Sequence, residues 1–296
     1  MQKPAASLVK KIVIPVAGLG TRLMPATKVV PKVLLPVGRK PLLLYAVEEA
    51  VAAGAECVVL VANRRDSLIS DYFQPNAELE DHLKQAGRED EAASLSRVTQ
   101  LISIVTVLQE SPRGLADAIR CAHPIVGDQP FGVILPDALI LAPRPAIGQL
   151  IDQYALNPST FIATRIVPQQ ETTRYGILVP GPQPAPAHPS IFPVKSLVEK
   201  PLPDAAPSRY GVFGRYILEP EIFAAIRSIH PDPSGELQLT DALNHLCSNH
   251  PVNACLFEGD HYDTGEWLGF AQANVACMLA DPLYGVPFSK FLHSLV

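Results

Sequence analysis

Hydrophobic and polar positions follow two alternating patterns along the first half of the chain. Short apolar runs rich in Val and Ile predict strands, and longer stretches with apolar residues at helical spacing predict helices between them. The predicted strands of this half are residues 11–16, 57–62, 102–108, 131–135 and 160–167. Strands that alternate with helices are typical of a parallel sheet covered by crossover helices.

Two stretches of the first half have helical patterns. Residues 41–54 begin with Pro, carry apolar residues at helical spacing and end on Gly, which predicts a helix with Pro41 at its first position. Residues 76–97 are rich in Glu, Asp, Lys and Ala, which predicts one helical excursion with a solvated outer face.

After residue 167, proline interrupts the apolar runs. Strands are predicted at 175–179, 191–198, 212–218 and 252–257, and helices at 220–228, 239–249 and 267–279. The proline-dense run 180–193 predicts a loop, and the tail 281–296 carries Phe288, Phe291 and Leu292 at helical spacing. We therefore predict a single α/β domain over residues 1–296, with a mixed central sheet and a cleft at the carboxyl ends of the parallel strands.

Composition and charge exclude several classes of protein. The 296 residues are 48 % hydrophobic and 18 % charged, which suits a full core and excludes wholesale disorder. Lys plus Arg is 24 against 29 for Asp plus Glu, a net charge of −5, and no basic block is present, so no nucleic-acid partner is expected. A few local cations must therefore attract any anionic substrate.

The remaining composition bears on the cellular compartment. No stretch approaches the ~20 apolar residues of a membrane span, and the first residues lack a signal-peptide pattern. The five cysteines are widely spaced without a C-x-x-C pair, which indicates reduced, buried thiols. We expect a cytoplasmic protein with no membrane partner.

A glycine-rich turn follows the first predicted strand, reading Val-Ala-Gly-Leu-Gly-Thr-Arg over residues 16–22. Gly18 and Gly20 let backbone N–H groups approach a phosphate or a base. The turn is neither the dinucleotide fingerprint, whose third glycine would fall at Leu23, nor a Walker motif. Arg22 and Lys32 flank it and suit a polyphosphate, although a structural turn with two surface cations remains the alternative.

Several motifs resemble one family of enzymes. GLGTR, followed by PK and then LP, resembles the signature of sugar-1-phosphate nucleotidyltransferases, and IPVAGLGTRLMPATK is similar to the bacterial UTP–glucose-1-phosphate uridylyltransferases. The resemblance continues, in order, through CAHPIVGDQPFGVILPD, VEKP, GRYIL, ELQLTDA and YDTGEWLGF. It implies a Rossmann-like nucleotidyltransferase fold, with a nucleotide-binding half over roughly 10–165 and a sugar-binding half over 166–280.

The resemblance also implies a reaction. An oxygen of glucose 1-phosphate attacks the α-phosphorus of UTP in line, pyrophosphate leaves, and UDP-glucose forms with the help of Mg²⁺. No protein nucleophile is needed, because positioning and charge neutralisation supply the catalysis. The resemblance further implies a homodimer or homotetramer.

The site residues that the resemblance implies fall into four groups. They are the catalytic Arg22, Lys32 and Lys200, the nucleotide-binding Ala17, Gly18, Leu19, Gly20, Thr21, Gln109 and Gly114, the sugar-binding Gly176, Glu199 and Glu236, and the Mg²⁺ ligands Asp137 and Asp263. Without the resemblance, the two aspartates would be interpreted as turn or helix-capping residues and Lys200 as a solvated cation. Glu236 has the further alternative of only orienting its wall.

The chain departs from the uridylyltransferase pattern at two places. Val33 stands where the family usually has Glu, so a polar contact made there would be lost. The base-recognition segment usually reads like AKGLGHA, whereas here Gln109 opens QESPRGLADA, whose spacing is closer to the glucose-1-phosphate thymidylyltransferases.

These departures leave the nucleotide open. Gln109 can present a donor and an acceptor together to a pyrimidine edge, which suits uracil and thymine alike, because one methyl group is discriminated by only ~1–3 kcal/mol. UTP is favoured because the flanking strings are uridylyltransferase-like, with dTTP as the alternative. A third hypothesis is a feebly active paralogue that regulates an active partner, although all the charged positions are retained.

Overall fold

A computed structural model describes residues 9–63, 67–182 and 190–295. The strands are β1 Lys11–Pro15, β2 Pro36–Val37, β3 Lys40–Pro41, β4 Cys57–Ala62, β5 Ser103–Leu108, β6 Phe131–Ile134, β7 Ala138–Leu141, β8 Thr160–Ile166, β9 Gly176–Pro180, β10 Ile191–Glu199, β11 Tyr210–Leu218, β12 Val252–Leu256 and β13 Asp260–Asp263. The α-helices are α1 Leu42–Ala52, α2 Ser67–Asp71, α3 Ala77–Gln85, α4 Glu89–Gln100, α5 Leu115–Cys121, α6 His123–Val126, α7 Ala146–Leu156, α8 Ile222–Ser228, α9 Leu239–Cys247, α10 Trp267–Leu279 and α11 Gly285–His293. Short 3-10 helices lie at Thr21–Leu23, Ala26–Lys28, Lys32–Leu34, Gln169–Arg174 and Pro203–Ala205.

A nine-stranded sheet organises the described part of the chain, in the order β5-β4-β1-β6-β11-β8-β12-β10-β9. The first four strands in this order are parallel, and β11 runs antiparallel to both β6 and β8. The sheet is therefore mixed, which confirms the predicted α/β architecture. Because β6 pairs with β11, strands from both predicted halves belong to the same sheet.

The apolar core lies on both faces of this sheet. Ile12 and Ile14 of β1 pack into one buried cluster, and Val13 between them packs into the other. Strands buried on both faces are continuous apolar runs, which is why the sequence predicts them well. The faces are filled, so polar groups that could meet a ligand collect at the carboxyl ends of the strands.

Two predicted helices differ in detail from the structure. The stretch 76–97 is two helices, α3 and α4, because the chain turns at Gly87 with a φ of 70°. Asn76 caps α3 by accepting a hydrogen bond from Leu79 N at 3.1 Å. Pro41 is extended and pairs with Pro36 in the β2–β3 hairpin, so it precedes α1 and is not its first residue.

Other expectations concern loops, thiols and termini. Pro180 ends β9 and Ile191 begins β10, while residues 183–189 of the predicted loop lie outside the described residues. The tail residues Phe288, Phe291 and Leu292 lie in α11.

The five cysteines are free thiols, as expected, but the expectation that they are buried holds for Cys255 alone. The other four are partly exposed, namely Cys57, Cys121, Cys247 and Cys277. In the described ranges no helix has the length and apolar character required to cross a membrane.

A buried ion pair connects helix α1 to the sheet. The Arg215 guanidinium on β11 donates to both carboxylate oxygens of Glu49 on α1, at 2.9 and 2.8 Å. It also donates to the carbonyl oxygen of Leu135 at 3.1 Å. Leu135 lies two residues before Asp137, so this pair holds the segment that carries a predicted site residue.

Candidate functional site

A cavity of about 520 Å³ opens at the carboxyl ends of β1, β5 and β6. The loops that follow these three strands line it. Eleven of the predicted site residues contribute, namely Ala17, Gly18, Leu19, Gly20, Thr21, Arg22, Lys32, Gln109, Gly114, Asp137 and Glu236. The structure therefore brings together every residue predicted to bind the nucleotide.

The glycine-rich turn of this cavity is folded over Lys32. Gly20 has a φ of 63°, and a Cβ added there would lie 3.0 Å from Lys32 Cβ. A side chain at this position would be both strained and crowded. Lys32 Nζ continues to the far wall of the cavity, where it donates to Asp137 Oδ2 at 2.6 Å.

A second cavity, of about 470 Å³, adjoins the first on the side of β11 and β13. Lys200 and Asp263 line it, and Arg22, Leu135 and Asp137 line both cavities. With Lys32, the five ionic side chains that the motifs singled out therefore surround two connected spaces.

The segments that carry the two predicted metal ligands are joined directly. In the antiparallel pair of β7 with β13, Asp263 lies opposite Ala138, the residue after Asp137. Thr264 donates its backbone N–H and its hydroxyl to the Asp137 carbonyl oxygen, at 2.8 and 2.9 Å. This pairing places Asp137 and Asp263 in one wall of the second cavity.

The charge states of two groups follow from their surroundings. Burial acts to raise the pKa of Asp137, but the charge and hydrogen bond of Lys32 and the charge of Arg22 together hold that pKa below its ordinary value. Burial lowers the pKa of His261, in the second cavity, to about 4. At neutral pH Asp137 is therefore ionised, and His261 is neutral and adds no positive charge.

Lys200 directly follows β10 at the rim of the second cavity. Its backbone N–H donates to the Tyr175 carbonyl oxygen at 3.1 Å, and its Nζ lies 3.2 Å from Glu199 Oε1. Among the described residues it is the one non-glycine with a positive φ, 43°. Such a conformation costs about 1–3 kcal/mol and persists only where the surrounding structure imposes it.

The predicted sugar-binding residues separate into two places. Gly176 lies opposite Glu199 in the β9–β10 register, beside Lys200, and Glu199 Oε2 accepts a hydrogen bond from Thr240 Oγ1 at 2.6 Å. Glu236 instead lines the first cavity, against Gly114 of the loop after β5. Its position favours a contact with the nucleotide side of the site over the predicted sugar contact.

Gln109 is oriented differently from the sequence expectation. Its Nε2 donates to the Gly114 carbonyl oxygen at 3.2 Å and to Asp117 Oδ2 at 2.9 Å. The donor end of the carboxamide is thus occupied within the protein. Gln109 cannot present a donor and an acceptor together to a base while these bonds are intact.

Three residues of the site were not found from the sequence. Arg174 donates to Asp263 Oδ2 at 2.9 Å and also to Glu266. Thr264 donates to the Asp137 carbonyl oxygen. Asp117 accepts the hydrogen bond that orients Gln109. Arg174 carried a signal, because it directly precedes the Tyr-Gly pair that the resemblance includes.

Val33 has little bearing on the cavities. It is 1 % exposed and packs within the apolar cluster that contains Ile12 and Ile14. It lines neither of the two cavities. The replacement of the usual Glu by Val therefore changes the core beneath the site and removes no group from the cavity walls.

Comparisons with known proteins agree with this geometry. The sequence profile of the family described as "Nucleotidyl transferase" matches residues 11–278. The UTP–glucose-1-phosphate uridylyltransferase 1 of Staphylococcus saprophyticus is 39 % identical over 287 residues, which cover 97 % of this chain and 99 % of that protein. The UTP-bound UGPase of Acinetobacter baumannii superposes with a TM-score of 0.89 at 34 % identity, over 97 % of this chain and 100 % of that one.

A UDP-glucose pyrophosphorylase complexed with UDP-glucose superposes with a TM-score of 0.81 at 33 % identity, covering 90 % of this chain and 98 % of that chain. These matches confirm both the resemblance drawn from the motifs and the predicted nucleotidyltransferase fold. The chain belongs to the nucleotidyl transferase family, in which the UTP–glucose-1-phosphate uridylyltransferases match it over nearly their whole length.

Proposed function

We propose that this protein joins UTP and glucose 1-phosphate into UDP-glucose and releases pyrophosphate. The observation that carries the proposal is the meeting of the two cavities at Arg22 and Asp137. A nucleotide in the first cavity and a sugar phosphate in the second would bring their phosphates together at this junction. The names of the uridylyltransferase relatives support the same reaction.

The chain's own residues act by positioning. Backbone N–H groups of the glycine-rich turn, with Arg22 and Lys32, bind the triphosphate, and Lys200 binds the phosphate of the sugar. An oxygen of glucose 1-phosphate then attacks the α-phosphorus in line, and the bond to pyrophosphate breaks. Held geometry and fixed positive charges lower the barrier without any covalent intermediate.

The site fits a hard divalent cation, which we propose is Mg²⁺. Asp137 and Asp263 supply carboxylate oxygens, and no group of three or more His, Cys, Asp or Glu in the described residues could hold an ion alone. That donor set suits an ion that takes its other ligands from phosphates and water. When bound, Mg²⁺ neutralises negative charge on the phosphates. Lys32 and Arg174 neutralise that charge only in part, because each of them already pairs with a carboxylate.

A turnover assay tests the proposed function. Purified protein is incubated with UTP, glucose 1-phosphate and Mg²⁺, and pyrophosphate release is followed. We expect release that stops when a chelator removes the metal. Parallel reactions with dTTP test the thymidylyltransferase alternative, and the absence of release with either nucleotide would reject the proposal in favour of a regulatory paralogue.

Two substitutions at Lys200 separate charge from backbone strain. We expect Lys200→Ala and Lys200→Gly each to lower kcat/KM by about 10²–10³-fold, because both remove one positioned charge. Only the glycine variant relieves the positive φ, so it should unfold at a higher temperature than the alanine variant, by the equivalent of about 1 kcal/mol. Steady-state kinetics and thermal melting measure the two effects.

A matched control for these variants is Lys195→Ala, because Lys195 is exposed on β10, the strand that Lys200 follows, and lines neither cavity. This variant should keep normal kinetics. Equal kcat/KM for Lys200→Ala and the unsubstituted protein would remove Lys200 from the catalytic set.

The predicted homodimer or homotetramer remains a proposal, and one surface supports it. Helices α10 and α11 leave several large apolar side chains exposed, including Leu268, Val286 and Phe291. Association of copies through this surface would remove apolar area from water. Light scattering tests it, and a monomeric mass at all concentrations would reject it.

A further inference from the structure

A buried polar network lies behind the base-recognition loop. Asp117 on α5 is 1 % exposed and Gln109 is 4 % exposed. Arg113 and Arg120 both donate to Asp117 Oδ1, Arg113 at 3.3 Å and Arg120 with two bonds of 3.2 and 2.6 Å. The other carboxylate oxygen, Oδ2, accepts from Gln109 Nε2. The two oxygens of Asp117 therefore have different partners.

The carboxylate is ionised. Burial acts to raise the pKa of Asp117, but its hydrogen bonds with Arg120 and Gln109 and the charges of Arg120 and Arg113 lower that pKa below its ordinary value. An ionised carboxylate can only accept hydrogen bonds, and the same holds for the Gly114 carbonyl.

This chemistry permits one orientation of the Gln109 carboxamide. Both hydrogens of Nε2 are committed, one to Gly114 O and one to Asp117 Oδ2. Turning the amide by 180° would place Oε1 against two acceptors and lose both bonds. Within the described part of the chain, Oε1 accepts no hydrogen bond, and Gln109 lines the first cavity. The side chain thus offers a ligand only an acceptor.

An acceptor that faces N3 of the base distinguishes pyrimidines by whether N3 carries a hydrogen. Uracil and thymine carry a hydrogen on N3 and donate to an acceptor. Cytosine has a lone pair on N3, which would face Gln109 Oε1 without a proton between them. A site built around one hydrogen bond rejects a ligand that cannot form it much more strongly than it rejects a ligand that differs by one methyl group.

We propose that Asp117 is a positioning residue for base specificity: by holding the Gln109 amide nitrogen, it fixes the acceptor toward the base and selects bases with an N3–H. The inference rests on the proposed function and adds which bases of the nucleotide the site accepts. It also gives a role to a position where the uridylyltransferase-like segment AKGLGHA has His and this chain has Asp.

Asp117→Asn is the direct test. The two arginines keep an oxygen at the Oδ1 position, so the new amide nitrogen faces Gln109. In the original orientation Gln109 keeps its bond to Gly114 O but faces a donor on Asn, and in the turned orientation it accepts from Asn with Oε1 but loses the bond to Gly114 O. The original orientation is therefore no longer fixed, and the turned one presents Nε2 to the cavity, a donor that suits cytosine. We expect the ratio of kcat/KM for UTP to that for CTP to fall by at least about tenfold. The ratio for UTP to dTTP should stay unchanged, because both bases carry N3–H.

The UTP-to-CTP ratio of kcat/KM, compared between the variant and the unsubstituted protein, does not change when the variant only loses stability or loop order. A variant that merely loosens the loop lowers turnover of UTP, dTTP and CTP together. Asp152→Asn is the matched control, because Asp152 also pairs with an arginine, Arg144, but lies far along the chain and lines neither cavity. An unchanged UTP-to-CTP ratio in a folded Asp117→Asn variant would overturn the inference.

A binding experiment on the unsubstituted protein keeps the inference testable where the variant does not fold. Calorimetric titration with UTP and with CTP should show at least about 10²-fold weaker binding of CTP. Equal binding would overturn the inference even where UTP turnover is normal. Absence of UTP turnover alongside a strong binding preference for UTP over CTP would reject only the proposed function.

Discussion

Replacing Asp137 with Asn is expected to lower kcat/KM by about 10³-fold and to raise sharply the Mg²⁺ concentration needed for half-maximal activity. Among the residues that the structure describes, Asp137 is the one carboxylate that lines both cavities. Asn keeps the shape and one oxygen but carries no charge, so it is a poor ligand for a hard cation. It also leaves Lys32, which lies 2.6 Å away, without its ion-pair partner.

Kinetics measured over a range of Mg²⁺ concentrations test this prediction. Asp128→Asn makes the same chemical change on a side chain that is 95 % exposed, and it should leave the metal dependence unchanged. Both variants should fold, because both side chains contact solvent or an open cavity. A normal Mg²⁺ dependence in Asp137→Asn would remove this carboxylate from the metal site.

Much of the fold could be predicted because the sheet is buried on both faces. The bounds predicted for β4 and α10, 57–62 and 267–279, are those of the structure. β7 and β13 were not predicted, because each has four residues and they form only by pairing with each other. The paired residues are far apart in the sequence, as in Asp260 and Leu141, whose numbers differ by 119. The break at Gly87 was missed because helical polar patterns continue on both sides of it.

The residues of the site, like the elements of the fold, could be predicted only where a local pattern marks them. Arg22, Asp137 and Lys200 follow strands or turns in recognisable strings, and the structure places them around connected cavities. Asp117 lies in the first turn of α5, where an acidic residue is interpreted as a favourable helix charge. Its partnership with Gln109 depends on the path of the loop between them, which no local pattern reveals.

Replacing Arg215 with Met is expected to lower the free energy of unfolding by about 3–5 kcal/mol. Arg215 is 1 % exposed and satisfies both oxygens of Glu49. The substitution leaves that carboxylate buried and, within the described part of the chain, with one remaining donor, the backbone N–H of Ile147 at 3.0 Å. Urea denaturation measures the loss as a lower midpoint at an unchanged slope.

Arg144→Met supplies the matched control, because Arg144 makes the same two-bond contact with Asp152, at 3.0 and 2.6 Å, on the surface. Its side chain is 47 % exposed, so water replaces the lost partner and the expected cost is below about 1 kcal/mol. The bond geometry is alike in the two pairs, and any difference in cost therefore reports burial. Equal losses for the two variants would contradict this account of how α1 is held to the sheet beside Asp137.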